Sequence, residues 1–112
     1  MIDSYRFGEI TVRNRTYTSD VIILPDGVRS WWRNKGHELC PDDLDEAIGT
    51  ALPEVMVIGS GNSEMMAVPH ETRRWLESKG IEVIVEGTDK ACDSYNQLCR
   101  SRNVVAALHL TC

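Results

Sequence analysis

The chain has 112 residues, 42% of them apolar and 26% charged, with a formal net charge of −5. That length fits one domain spanning residues 1–112, able to bury roughly two thirds of its unfolded surface without disulfide or metal staples. The negative charge is spread over both halves, and neither carries the basic footprint that a phosphate backbone demands, so nucleic acid is not an expected partner.

The opening "MIDSYRFGEI" has no basic stretch leading into an apolar one. No apolar run approaches the ~18 residues of a membrane span. Neither a secretion leader nor a membrane helix is expected, and the expected compartment is the cytoplasm. "YRFGEITV" alternates at Tyr5 and Phe7 and, after a slip near Gly8-Glu9, at Ile10 and Val12, as a strand does. The polar "RNR" leads into "YTSDVIIL", a turn follows at Pro25-Asp26-Gly27, and "VRSWWR" reads as a third short strand. Val21–Leu24 is apolar on both parities and predicts a strand covered on both faces. Alternation through Trp31-Trp32 predicts one indole in the core and one on the surface, the latter a candidate contact with a protein partner or a second copy of the chain.

The period then changes. "CPDDLDEAIGTAL" has Pro41 in its first turn and acids where the positive end of a helix dipole favours them. That position accounts for Asp42 and Asp43 better than an acid–base pair does. Leu44, Ala47, Ile48 and Ala51 form its apolar stripe.

From Val55 the chain reads β-α-β-α-β. "VMVI" is a buried strand, a helix runs from about Pro69 to Lys79, and Gly80 is its left-handed cap. "IEVIV" follows, then a helix over 88–101 capped by Thr88 with Ala91, Cys92, Tyr95, Leu98 and Cys99 on one side, and "VVAALHL" as the last strand. This is an α/β fold with a strand-rich N-terminal third.

Cys40, Cys92, Cys99 and Cys112 form no Cys-x-x-Cys pair. On one helix Cys92 and Cys99 stand ~10.5 Å apart along the axis, too far for a disulfide, so all four are expected as thiols. His37-x-x-Cys40 lacks a second half with ligand spacing, and no metal is expected.

Residues 55–66, "VMVIGSGNSEMM", break an apolar run with Gly59-Ser60-Gly61, as a phosphate-binding turn does. The third glycine of the dinucleotide fingerprint is replaced by Glu64, and the next helix starts late. Neither a nucleophile elbow nor a Walker motif is present. No nucleotide, other cofactor or catalytic constellation is expected. What remains is position: if the strands at 55–58 and 81–85 are parallel neighbours, Gly59, Ser60, Gly61 and Asn62 share an edge with Thr88, where a helix start could receive an anion. Asn96 joins these as a polar candidate. Met65-Met66 is a second adaptable apolar patch, in a loop, suited to plugging a gap in the core ahead of the alternative of an interface.

"YTSDVIILPDGV", "SWW" with His37, "VMVIGSG", Pro69, "GIEVIVEGTDKACDSYNQL" and "RNVVAALH" follow one another with an order and spacing that cover nearly the whole chain. In this the chain resembles the small one-domain family that includes the animal adipogenesis-associated protein and a mitochondrial assembly factor for respiratory NADH dehydrogenase. The family's usual glycine-arginine pair before the last strand is Arg102-Asn103 here. The resemblance implies a three-layer α/β fold around a mixed central sheet, and no established reaction, cofactor or catalytic residue. A non-catalytic binding or assembly module is the leading expectation, and a small-molecule binder or enzyme using the polar strand-end edge is the alternative.

Overall fold

A computed structural model describes residues 1–33 and 37–112. It has two sheets. Strands β1 (Ile2–Arg6), β2 (Glu9–Val12) and β3 (Arg15–Tyr17) form an antiparallel three-stranded sheet. Strands β4 (Val21–Leu24), β5 (Gly27–Ser30), β6 (Val55–Gly59), β7 (Glu82–Glu86) and β8 (Val104–Leu108) form the central sheet in the order β5-β4-β8-β6-β7. That sheet is mixed: β6 runs parallel to both β7 and β8, and β4 runs antiparallel to β5 and β8. The slip near Gly8 is a correction to the single strand expected there. Phe7-Gly8 is a hairpin turn, with Gly8 at φ 77, and the two halves pair with each other. "YTSDVIIL" likewise divides between the two sheets around Ser19-Asp20.

Parity divides the core. Met56 and Ile58 of β6, Ile22 and Leu24 of β4, and Val105 and Ala107 of β8 face one side. They meet Leu44, Ala47 and Ile48 of the segment ending in helix α1 (Asp45–Ala51), and Leu76 of helix α2 (His70–Glu77). The alternate residues Val55, Val57, Val21, Ile23, Val104 and Ala106 face the other side. There they meet Ala91, Cys92 and Tyr95 of helix α3 (Thr88–Leu98), and Ile2, Ile10 and Val12 of the small sheet. Each of those strands is therefore buried on both faces, as its continuous apolar run requires. The result is three layers.

Chain direction explains which helix lies where. From β6 the chain moves outward to β7 through α2, then returns past β6 to β8 through α3. Crossovers of one hand that travel in opposite directions place their helices on opposite faces. The crevice at the carboxyl end of β6 and β8 lies where the winding reverses, the usual ligand position in an open sheet.

Candidate functional site

Gly59, Ser60 and Gly61 close β6 at this crevice, and Gly87 and Thr88 close β7 beside it. The expected neighbourhood is present: the Ser60 amide donates to the Glu86 carbonyl (2.9 Å) and the Thr88 amide to the Gly61 carbonyl (3.1 Å). The crevice is filled by the chain itself. Segment 109–112 continues from β8 across the turn, with the His109 amide donating to the Gly59 carbonyl at 3.0 Å. The Asn62 amide donates to the Thr111 carbonyl at 2.6 Å and the Met65 amide to the Cys112 carbonyl at 2.8 Å. The Gly61 amide goes to Thr88 Oγ1 (2.9 Å), and the Met66 amide to the Ser60 carbonyl (3.0 Å). The donors that would cradle a phosphate are spent on backbone and hydroxyl acceptors.

Gly61 is a glycine for a second reason. Its φ is 108, and a Cβ there would run into the Cys112 carbonyl group and stand 2.9 Å from His109 Cδ2. At Gly59 a Cβ would meet Thr88 Oγ1 and a Leu108 methyl, both at 2.9 Å. Gly61 admits the chain's own backbone, and Gly59 the side chains of Thr88 and Leu108, where a nucleotide motif would admit pyrophosphate.

One expected role at this edge is corrected. Thr88 does not cap α3 with its side chain; Gly87 is the capping residue, and the Thr88 hydroxyl donates to the His109 carbonyl (2.6 Å) while accepting from Gly61. A fully buried hydroxyl needs such partners, and here they join β6, β8 and α3. Ser60 is buried, and its hydroxyl donates to the Glu86 carbonyl at 3.1 Å. Asn62 is exposed. Asn96 lies further along α3, where its amide both donates to and accepts from the Ile2 backbone at 2.8 Å, so it fastens β1 to the helix and does not share the edge.

The start of α3 is a poor anion site. Glu64, at φ 57, lays its side chain over Gly87, and the depression there is lined by Asn62, Glu64, Glu86, Gly87, Asp89 and Lys90. Three carboxylates against one ammonium repel a phosphate. Glu86, at the position of a ribose-binding acid, accepts instead from Ser94 Oγ at 2.6 Å.

Beside the turn stands a buried polar cluster that motif reading missed. His109 is only 5% exposed, and its Nδ1 lies 2.8 Å from Asp20 Oδ2. Arg33 reaches the same carboxylate at 2.7 Å, and Asp20 Oδ1 accepts the Leu110 amide at 2.8 Å. Burial pushes the Asp20 carboxyl up, but the Leu110 amide, the His109 ring and the Arg33 guanidinium outweigh it and hold it below its ordinary value. Arg33 also lies over the Trp31 ring at 4.7 Å, and the His37 ring meets His109 edge-on at 5.8 Å. His109 Nε2 is buried without a hydrogen-bond partner among the described residues. The only sequence signal for this cluster was polarity at the ends of two apolar strands, Asp20 before "VIIL" and His109 after "VVAAL".

The same end gathers exposed apolar side chains. Trp31 is buried and Trp32, just beyond β5, is 85% exposed, which is the division the alternation predicted. Phe7 is 57% and Met65 62% exposed. Met65 and the residues next to Phe7 and Trp32 are tied to this end: Met65 donates to the Cys112 carbonyl, Gly8 to the Leu110 carbonyl, and Trp31 to the carbonyl of Asp20, whose side chain holds Leu110. Met66 turns inward and is buried, so one methionine of the pair plugs the core.

A family model described as "Protein of unknown function (DUF498/DUF598)" matches residues 2–109. The chain belongs to that family. A conserved hypothetical protein from Pyrococcus horikoshii OT3 has the same fold, with a TM-score of 0.90 at 23% identity over 100% of this chain and 99% of that one. A Bordetella parapertussis protein matches at TM-score 0.85 and 29% identity, covering 98% of this chain and 94% of its own. Among curated relatives, the mouse (Mus musculus) NADH dehydrogenase [ubiquinone] 1 alpha subcomplex assembly factor 3 is 28% identical over 109 residues. That match covers 95% of this chain and 57% of the mouse protein, so the chain spans little more than half the length of the curated relatives it matches. Among the described residues no helix is long and apolar enough to cross a membrane.

Proposed function

We propose that the chain is a non-catalytic binding module that docks a protein partner at the carboxyl end of its central sheet. The observation that carries this reading is the pairing of a crevice filled by the chain's own backbone with exposed Phe7, Trp32 and Met65 around it. Large apolar side chains held in water around one end of a small domain mark an interaction surface, and tryptophan is the commonest energetic anchor of such surfaces. In this reading Gly59, Ser60, Gly61 and Thr88 build the platform, and Asn62, exposed at its rim, contacts what docks. The assembly role in the name of the mouse relative supports a protein partner for the shared domain. The test is affinity capture from the native cell with the wild-type chain and with a Phe7→Ser/Trp32→Ala/Met65→Ser variant. A partner held by the first and released by the second, at equal urea midpoints, is the expected result. Capture unaffected by the three changes contradicts it.

One observation favours a second reading, a small-molecule site at the same end: the unpartnered His109 Nε2. A compound retained through purification, seen by native mass spectrometry and lost in His109→Phe, would support that reading against the first.

A further inference from the structure

β5 is an outer strand of the central sheet, paired only with β4 among the described residues. Its outer row of amides and carbonyls is a template for another strand. Of the devices that usually blunt such an edge, β5 has shortness, at four residues, and one charge, Arg29. Gly27–Ser30 contains no proline or lysine, and Arg29 is drawn back to Asp26 at 2.9 Å. Trp32 follows the edge, fully out in solvent, and a shallow cavity of about 330 Å³ runs from Trp32 and Ser30 toward Asp42, Asp43 and Glu46. Asp42 and Glu46 are exposed and carry no ion pair among the described residues. The edge therefore combines an outer backbone row, an open indole face and an excess of negative charge, three acids in the cavity lining against Arg29, which is itself paired with Asp26.

From this juxtaposition we infer that β5 receives an extended, lysine- or arginine-bearing segment of a partner protein as an added strand. Backbone pairing along Gly27–Ser30 supplies the alignment, as in other strand-addition complexes. A cation from the segment sits over the Trp32 ring and others face Asp42 and Glu46. A second copy of this chain, with its net charge of −5, brings like overall charge to the same edge and fits less well. The inference rests on the binding-module reading and narrows it to one edge and one chemistry of partner.

The test uses amide NMR of the whole chain titrated with two short synthetic peptides, one alternating lysine with valine and the other glutamate with valine. The lysine peptide is expected to move the Gly27–Ser30 amides and the Trp32 indole saturably. Its affinity should fall at least about tenfold in Asp42→Asn/Glu46→Gln and at least as far in Trp32→Ala, and should weaken with added salt. Equal binding of the two peptides, or shifts that bypass β5, would overturn the inference. So would a concentration-dependent dimer that moves the same amides without peptide. If the captured native partner survives Asp42→Asn/Glu46→Gln but is lost in the Phe7/Trp32/Met65 variant, the binding module stands and the basic strand falls.

Discussion

The glycine turn at 59–61 and the Asp20–Arg33–His109 cluster lie side by side at one end of the central sheet, and they invert each other. The turn is conspicuous as a motif and chemically quiet as a structure, since its amides are bonded to Glu86, Thr88, Thr111 and Cys112. The cluster has no motif, yet it holds a carboxylate and a guanidinium beside an imidazole in the interior. Glycine in a strand-end turn signals that something approaches closely; it does not say whether that is a ligand or the chain itself. Here the approaching group is segment 109–112.

Substitutions that break one partner and spare the other separate the two. Gly61→Val should have the largest effect, a loss above ~4 kcal/mol in urea unfolding, because no rotamer relieves a Cβ set against the Cys112 carbonyl at φ 108. An unchanged midpoint would mean that segment 111–112 is not seated on the turn.

Asp20→Ala comes next, at about 3–5 kcal/mol, because it removes the carboxylate that buried Arg33, His109 and the Leu110 amide share. The Asp20 pKa is lowered in the folded state, so its contribution is fully present above the unfolded value near 3.8. It disappears as pH falls through the lower folded value. Urea midpoints measured across that acid range should fall more steeply in the wild type than in Asp20→Ala.

Thr88→Val removes a hydroxyl serving Gly61 and His109 at once, and about 1–3 kcal/mol should go with it. This is more than a lost helix cap alone would take. Ser60→Ala should cost about 1 kcal/mol, the worth of its bond to Glu86, whereas exposed Asn62→Ala should stay within ~0.5 kcal/mol. Parallel melts of this pair resolve the two; equal values would mean that Ser60 is not packed.

Much of this fold was legible because strand burial and helix stripes impose different periods. Val21–Leu24 and Val55–Ile58 are buried on both faces as their unbroken apolar runs required, and Thr72 and Leu76 mark the inward stripe of α2. Gly80, at φ 79, caps α2 as expected. The hairpin at Phe7-Gly8 was missed because alternation continues in register through a tight turn, and Gly8 alone separates a slip from a reversal. The roles of Thr88 and Ser60 were missed for a different reason. Their partners, the carbonyls of His109 and Glu86, are 21 and 26 residues away, and no local propensity reports a bond to a distant backbone atom. The same limit hid the cluster, since Asp20 and His109 are 89 residues apart in the chain. Glu64, singled out in the sequence as the residue replacing the third glycine of the fingerprint, lays its side chain over Gly87 at the start of α3.

The central claim is that the glycine turn is closed by the chain's own backbone. Amide NMR titration with ATP and with NAD tests it most directly, read at Gly61, Asn62 and Met65. Those resonances should stay in place up to millimolar nucleotide. Saturable shifts at the same three amides in the folded wild-type chain would contradict it and make the turn a phosphate site.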